Sequence, residues 1–345
     1  MLNLLTHKKF GFKRISVFNQ WLQSKMKQKL VVIGNGMAGM RTVEELLNID
    51  EHRYDITVFG NEPHGNYNRI MLPPLLQGSK TISEIMIHDF DWYDKNGITL
   101  HCGADKTIIQ IDRYKKQVIA RDGTVAMYDR LLIATGSLST TPDIPGINLE
   151  GVMGFREIAD VEKLLSTVNT PQKVTIIGGG LLGLEAASAL QSRAMQVTVV
   201  NRSSYILNRQ LDKHASTRLQ NHLEQQGVKF ELSANVIEII GADNKIKSVK
   251  LDNGHVIETN SVIMAMGIRP NIEIAKQVGI HTNQGIVVNN LMQTSDDNVY
   301  AVGECIEYDG KVFGLVTHAY EQAKVCANRL AEQYHSCLLY TSPSP

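Results

Sequence analysis

The chain carries one glycine-rich unit twice, at Gly34 and again at Gly178, 144 residues further on. In the first copy, residues 29–33 (KLVVI) read as a short strand buried on both faces. Gly34, Gly36 and Gly39 follow in Gly-x-Gly-x-x-Gly spacing, and apolar residues then recur at Met40, Val43, Leu46 and Leu47 with helical period. A second strand is expected over Asp55–Phe59, about 20 residues after the turn. The second copy repeats this order: strand 173–177 (KVTII), Gly178, Gly180 and Gly183, an Ala-rich helix over Leu184–Leu190, and strand 196–200. In such a unit the first glycine permits a tight turn and the second lets backbone approach a pyrophosphate. The third lets the helix lie close on the sheet, with the phosphates at the helix N-terminus. Two copies predict an α/β chain with two Rossmann-like domains holding two nucleotide cofactors face to face, a flavin and a nicotinamide.

Composition removes other classes. The 345 residues hold 35 basic and 35 acidic side chains, so nothing points to nucleic acid or an anionic membrane. No apolar run approaches the roughly 18 residues of a membrane span. Cys102, Cys305, Cys326 and Cys337 are scattered without Cys-x-x-Cys spacing, which argues against a disulfide scaffold, a zinc ribbon or an iron–sulfur site, and for a reducing cytoplasm. The histidines show no metal spacing; His214 and His222 fall on an expected exposed helix, and His318 reads as packed or solvated.

Three further buried strands end in glycine: residues 131–136 close on Thr135-Gly136, residues 261–267 on Gly267, and residues 298–304 on Gly303-Glu304. With both glycine units in this order, residues 27–335 resemble the pyridine nucleotide–disulfide oxidoreductase superfamily. The segments 67–72 (YNRIML), 209–212 (RQLD), 300–305 (YAVGEC), 314–316 (GLV) and 320–323 (YEQA) are similar to the flavin part of NAD(P)H-dependent nitrite reductase large subunits. The resemblance implies FAD on the first unit and NAD(P)H on an inserted second unit. The implied domains are 26–147 and 268–336 for FAD and 148–267 for NAD(P)H.

Residue roles follow from that resemblance. Gly34, Gly36 and Gly39, with Met37 and Ala38 between them, cradle the FAD pyrophosphate. Arg69 contacts the flavin nucleotide, Thr135 and Gly136 pass close to it, and Gly303 with Glu304 faces its ribityl chain. Gly178, Gly180, Leu181, Leu182 and Gly183 hold the NAD(P)H pyrophosphate, Gly267 is grouped with the binding residues, and Glu185 lies near the nicotinamide as the catalytic candidate. The sequence departs from the family pattern in three places. Asn61, with Glu62 next, stands where an acid meets the FAD ribose; Leu72-Pro73-Pro74 replaces Leu-Ser; and Asn201-Arg202 replaces the acid that meets the NAD ribose. The resemblance favours NADH, while Arg202, which suits a 2′-phosphate, argues for tolerance of NADPH.

The expected chemistry is hydride transfer from NAD(P)H to FAD, then single-electron transfer to an iron–sulfur and sirohaem portion or a small electron-transfer protein. Cys305 reads as a buried apolar residue, not a redox thiol. Two alternatives stay open: a stand-alone reductase of rubredoxin or ferredoxin type, and a flavin-binding protein whose redox state controls partner binding. A homodimer is also left open. Residues 1–25 lack any acid and read as an extension before a start at Met26, the alternative being a transit peptide. Residues 337–345 read as a non-native tail that would make the chain a fragment.

Overall fold

The computed structural model describes residues 27–167 and 172–333. The extension 1–25, Met26, Cys337 and the tail 337–345 lie outside the described residues.

In chain order, the elements that carry the argument begin with β1 (Gln28–Ile33), α1 (Met37–Asp50), β2 (Tyr54–Gly60), α2 (Phe90–Lys95), β3 (Thr99–Cys102) and β4 (Arg130–Ile133). After them come β5 (Val152–Met153), β6 (Lys173–Ile177), α3 (Leu181–Gln191), β7 (Gln196–Asn201) and β8 (Lys229–Leu232). Last are β9 (Ser261–Met264), β10 (Val299–Ala301) and α4 (Val316–Leu330).

Contacts divide the chain into two compact units, one of residues 27–65, 88–136 and 271–333, the other of 66–87 and 137–270. The first unit is built on a five-stranded parallel sheet in the order β10-β4-β1-β2-β3. β1 is central, and Leu30, Val31 and Val32 are almost fully buried because helices and ribbons cover both faces of a parallel sheet. α1 turns Gly39, Met40, Val43 and Leu46 inward, and α4 packs along it.

The second unit repeats the plan, with a five-stranded parallel sheet ordered β5-β9-β6-β7-β8. In both sheets the strand that carries the glycine turn lies between its successor and a later crossover strand, β4 in one and β9 in the other. The fifth strand differs: β10 comes from the C-terminal stretch, whereas β5 precedes its glycine unit. A three-stranded antiparallel ribbon stands before each crossover strand, residues 108–127 in the first unit and 236–258 in the second. The chain is therefore α/β with two Rossmann-like units, the longer stretch of the second inserted between Gly136 and Asn271.

Residues 66–87, placed by the sequence within 26–147, gather with the second unit. Tyr67, Leu72, Leu75, Leu76 and Ile85 share its core with Phe155, Val161, Leu184 and Leu190. Pro73 and Pro74 open a short helix, Leu72–Gln77, where missing N–H donors cost nothing.

Candidate functional site

The two glycine turns are built alike, bond by bond. Gly34 N–H donates to the Phe59 carbonyl at 2.8 Å, and Gly178 N–H to the Val200 carbonyl at 2.9 Å. Ala134, just past β4, donates to Ile33, and Ala265, just past β9, donates to Ile177. Gly34 and Gly178 adopt φ of +116° and +122°, where a side chain is strained. A Cβ at Gly34 would stand 2.1 Å from the Ala134 carbonyl oxygen, and one at Gly178 2.2 Å from that of Ala265. At Gly39 and Gly183 a Cβ would press on the carbonyl of the first glycine, at 2.7 and 2.1 Å. Turn, helix and crossover strand are therefore in backbone contact in both units.

Gly36 and Gly180 behave differently. Each is the residue before its helix, with φ and ψ of −86° and −179° at Gly36 and −85° and −179° at Gly180. No atom comes within 4 Å of the place a Cβ would occupy at either. The backbone there borders open space, and the N–H groups of the first turns, Met37, Ala38 and Gly39 in α1 and Leu181, Leu182 and Gly183 in α3, lie beside it. Neither first turn contains an acidic residue, so neither helix sets a carboxylate of its own at its positive end. A pyrophosphate fits both cradles by this test.

Around the first cradle, the Tyr93 hydroxyl of α2 donates to Asn35 Oδ1 at 2.6 Å, and Asn35 Nδ2 donates to the His64 carbonyl at 3.1 Å. Gly303 (φ +90°) stands against the first turn of α1, where a Cβ would come 2.8 Å from Ala38 Cβ. Half-buried Glu304 follows it. Gly136, φ +64°, is held through its carbonyl by Asn271 N–H, and Thr135 Oγ1 donates to the Asn271 carbonyl at 2.7 Å. Glycine turn, Thr135-Gly136 and Gly303-Glu304 thus meet within one unit. Asn61 is exposed, and Glu62 is half-buried with its carbonyl bonded to Gly103 N–H.

In the second unit, Gly267 (φ +110°) is exposed and accepts from Thr140 N–H. Glu185 lies on the exposed side of α3, and its partial burial lifts the carboxyl above its ordinary value. Arg202 is exposed. Arg69 belongs to this unit: its guanidinium donates to the Arg156 carbonyl at 2.7 Å and lies over the Tyr67 ring.

Cys305 is fully buried, its Sγ bonded to the Val302 carbonyl at 3.2 Å, and burial pushes its thiol up to about 11. No group of three or more metal-ligating side chains occurs among the described residues, and no described helix is long and apolar enough to cross a membrane. His318 packs on Phe313, and His214 and His222 are exposed. Sequence reasoning missed Asn35, Tyr93 and Gln322, whose parts depend on partners 58 and 19 residues away.

Comparison with known proteins places this geometry. The assimilatory nitrate reductase electron transfer subunit of Bacillus subtilis (strain 168) is 46% identical over 304 residues, which are 88% of this chain and 39% of the relative. The nitrite reductase [NAD(P)H] of the same organism is 44% identical over 317 residues, 92% of this chain and 38% of the relative. The chain thus spans about two fifths of the length of either. Among solved structures, the covalent putidaredoxin reductase–putidaredoxin complex matches with a TM-score of 0.83 at 26% identity, over 89% of this chain and 76% of that one. The model of the pyridine nucleotide-disulphide oxidoreductases matches residues 28–323. With two dinucleotide cradles and that match over most of its length, the chain is an enzyme of the pyridine nucleotide-disulphide oxidoreductase family.

Proposed function

We propose that this chain carries reducing equivalents from NAD(P)H through FAD to a downstream redox centre, as the flavin module of a nitrite or nitrate reductase. The observation that carries the reading is the pair of matching cradles, each with open space at its middle glycine and no acid in the helical turn beside it. FAD, when bound, supplies the conversion of a two-electron hydride donor into single electrons.

The residues do the holding. The first turn of α1 offers N–H donors to the FAD pyrophosphate, and Gly303 brings backbone to the same turn without a side chain in the way. Glu304 receives a ribityl hydroxyl as acceptor, and Thr135, anchored to Asn271, keeps the crossover turn in place. The first turn of α3 offers its donors to the nicotinamide nucleotide. Glu185 borders that nucleotide, and desolvation raises its carboxyl so that it carries its charge less readily. Arg69 is assigned to the flavin nucleotide. NADH is the preferred donor, and Arg202 gives NADPH a 2′-phosphate partner.

The nitrite and nitrate branch is supported by the 46% and 44% identities to relatives so named. A second reading, a stand-alone reductase of rubredoxin or ferredoxin type, is favoured by the match to the putidaredoxin reductase–putidaredoxin complex. The test is anaerobic. Purified chain reconstituted with FAD is mixed with NADH or NADPH and a one-electron dye. Flavin retention with dye reduction is expected, faster with NADH, and Arg202→Ala weakening NADPH more than NADH. A chain that retains no flavin overturns the reading.

A further inference from the structure

In dinucleotide folds, the side chain that ends the second strand, about 20 residues past the glycines, is the usual ligand of the adenosine ribose. Here that position is Asn201, and both halves of its amide are already engaged within the protein, with no donor left over. Asn201 Oδ1 accepts the Gly179 N–H at 3.1 Å, and Nδ2 donates to the carbonyls of Ser203 at 3.2 Å and Tyr205 at 3.1 Å. The Gly179 carbonyl accepts from Leu207 N–H at 2.9 Å, so the peptide beside the second cradle is gripped from both sides by the 201–207 loop. A Cβ at Gly179 would stand 2.9 Å from Asn201 Cγ, so the amide fills the space that the absent side chain leaves.

The first unit contains the same device with its two residues exchanged. There the amide is Asn35, in the glycine turn, and the strand ends in Gly60. A Cβ at Gly60 would stand 2.8 Å from Asn35 Cβ. Asn35 Nδ2 donates to His64, four residues past the strand end, as Asn201 Nδ2 donates to Tyr205, four residues past its own. An amide at either position ties the loop after the second strand to the glycine turn. That demand is met in both units, whichever nucleotide each holds.

Resting on the reading of the second unit as the nicotinamide-nucleotide site, we infer that Asn201 is a positioning residue, a clamp on the 201–207 loop, and that it does not read the coenzyme's ribose. Discrimination at the 2′ position falls to residues 202–204, which the clamp holds in place. An acid at position 201 keeps the acceptor for Gly179 but sets a carboxylate against the Ser203 and Tyr205 carbonyls, losing two donated bonds. The substitution that the usual rule reads as a gain for NADH is therefore a loss for both coenzymes.

The experiment uses the FAD-loaded full chain, with ADP-ribose and 2′-phospho-ADP-ribose as non-reducing probes in calorimetric titration. Asn201→Asp is expected to weaken ADP-ribose about tenfold or more, the scale of two lost hydrogen bonds. Asn201→Ala is expected to weaken both probes by the same factor, and kcat for dye reduction at saturating NADH to stay within about threefold. Gly179→Ala, which pushes the amide aside without a charge, is expected to weaken both probes equally too. Unchanged or tighter ADP-ribose binding in Asn201→Asp, or a selective loss of one probe in Asn201→Ala, overturns the clamp. Wild-type chain that binds FAD but neither probe overturns instead the assignment of the second unit, and the clamp's function with it.

Discussion

The Gln322 side chain, on the second turn of α4 and fully buried, accepts the N–H of Gly303 through Oε1 at 2.7 Å. Gly303 stands against the first turn of α1, so one amide from a helix near the end of the described chain fixes the turn that closes the first cradle. Its Nε2 finds no partner among the described residues, so the oxygen is what this side chain supplies. Gln322→Leu leaves the Gly303 N–H buried and unpaired, at a cost of about 1–3 kcal/mol. Urea unfolding should show that loss, and equilibrium dialysis should show weaker FAD retention. Retention equal to wild type would mean that Gly303 keeps its place without the amide.

The glycines of the first cradle should separate into two kinds. Gly34→Ala drives a Cβ into the Ala134 carbonyl and puts alanine at φ +116°, so the apoprotein itself should be damaged. A Cβ at Gly36 meets no protein atom, and φ there is an ordinary −86°. Gly36→Val should leave the far-ultraviolet circular dichroism and the melting midpoint of the apoprotein close to wild type, yet abolish FAD binding, because the side chain enters the space assigned to phosphate. FAD bound normally by the Gly36 variant would move the cofactor elsewhere.

Much of this is legible in the amino-acid sequence. Strand 173–177 matches β6 residue for residue, and strand 29–33 falls within β1, because a strand buried on both faces writes a nearly continuous apolar run. The helix after the first turn starts at Met37, three residues before the first of the periodic apolar positions. The turns could be read because glycine spacing reports backbone contact directly. The clamps could not: nothing local marks Asn35 as the partner of Tyr93, or Gln322 as that of Gly303, since an amide's use depends on a tertiary neighbour. Residues 66–87 gave no helical period long enough to show which core would take them, and Pro73-Pro74 read as a stiff turn although the pair begins a helix.

Electrons should leave this protein without a thiol intermediate. Burial raises Cys305 to about 11 and raises Cys326 further, so neither supplies appreciable thiolate at neutral pH. Cys102, half-buried, is raised too. Native protein at pH 7.5 should leave Cys305 and Cys326 unlabelled by iodoacetamide. The Cys102→Ser, Cys305→Ser double variant should keep NADH-to-dye turnover within about tenfold, or 1.4 kcal/mol of barrier. Loss of turnover with FAD still bound would show a working thiol.

Acid should loosen the first unit through Glu44. His88 Nε2 lies 2.8 Å from Glu44 Oε1, and the imidazole stacks on Trp92 with ring centres 3.7 Å apart, joining α1 to the start of α2. The close contact with the His88 imidazole holds the Glu44 carboxyl below its ordinary 4.5; burial opposes it, and the charges of His88 and Arg41 reinforce it. A carboxyl depressed by folding contributes stability that is fully present above its unfolded value. That contribution is lost as pH falls through the folded value. Wild type and Glu44→Gln should therefore differ in urea midpoint at pH 6, and the difference should shrink steadily from about pH 4.5 downward. Because α1 carries the first cradle, FAD release on acidification should follow the same course in wild type and be displaced in the variant. Stability curves that run parallel across this range would show that the Glu44–His88 pair does not couple protonation to folding.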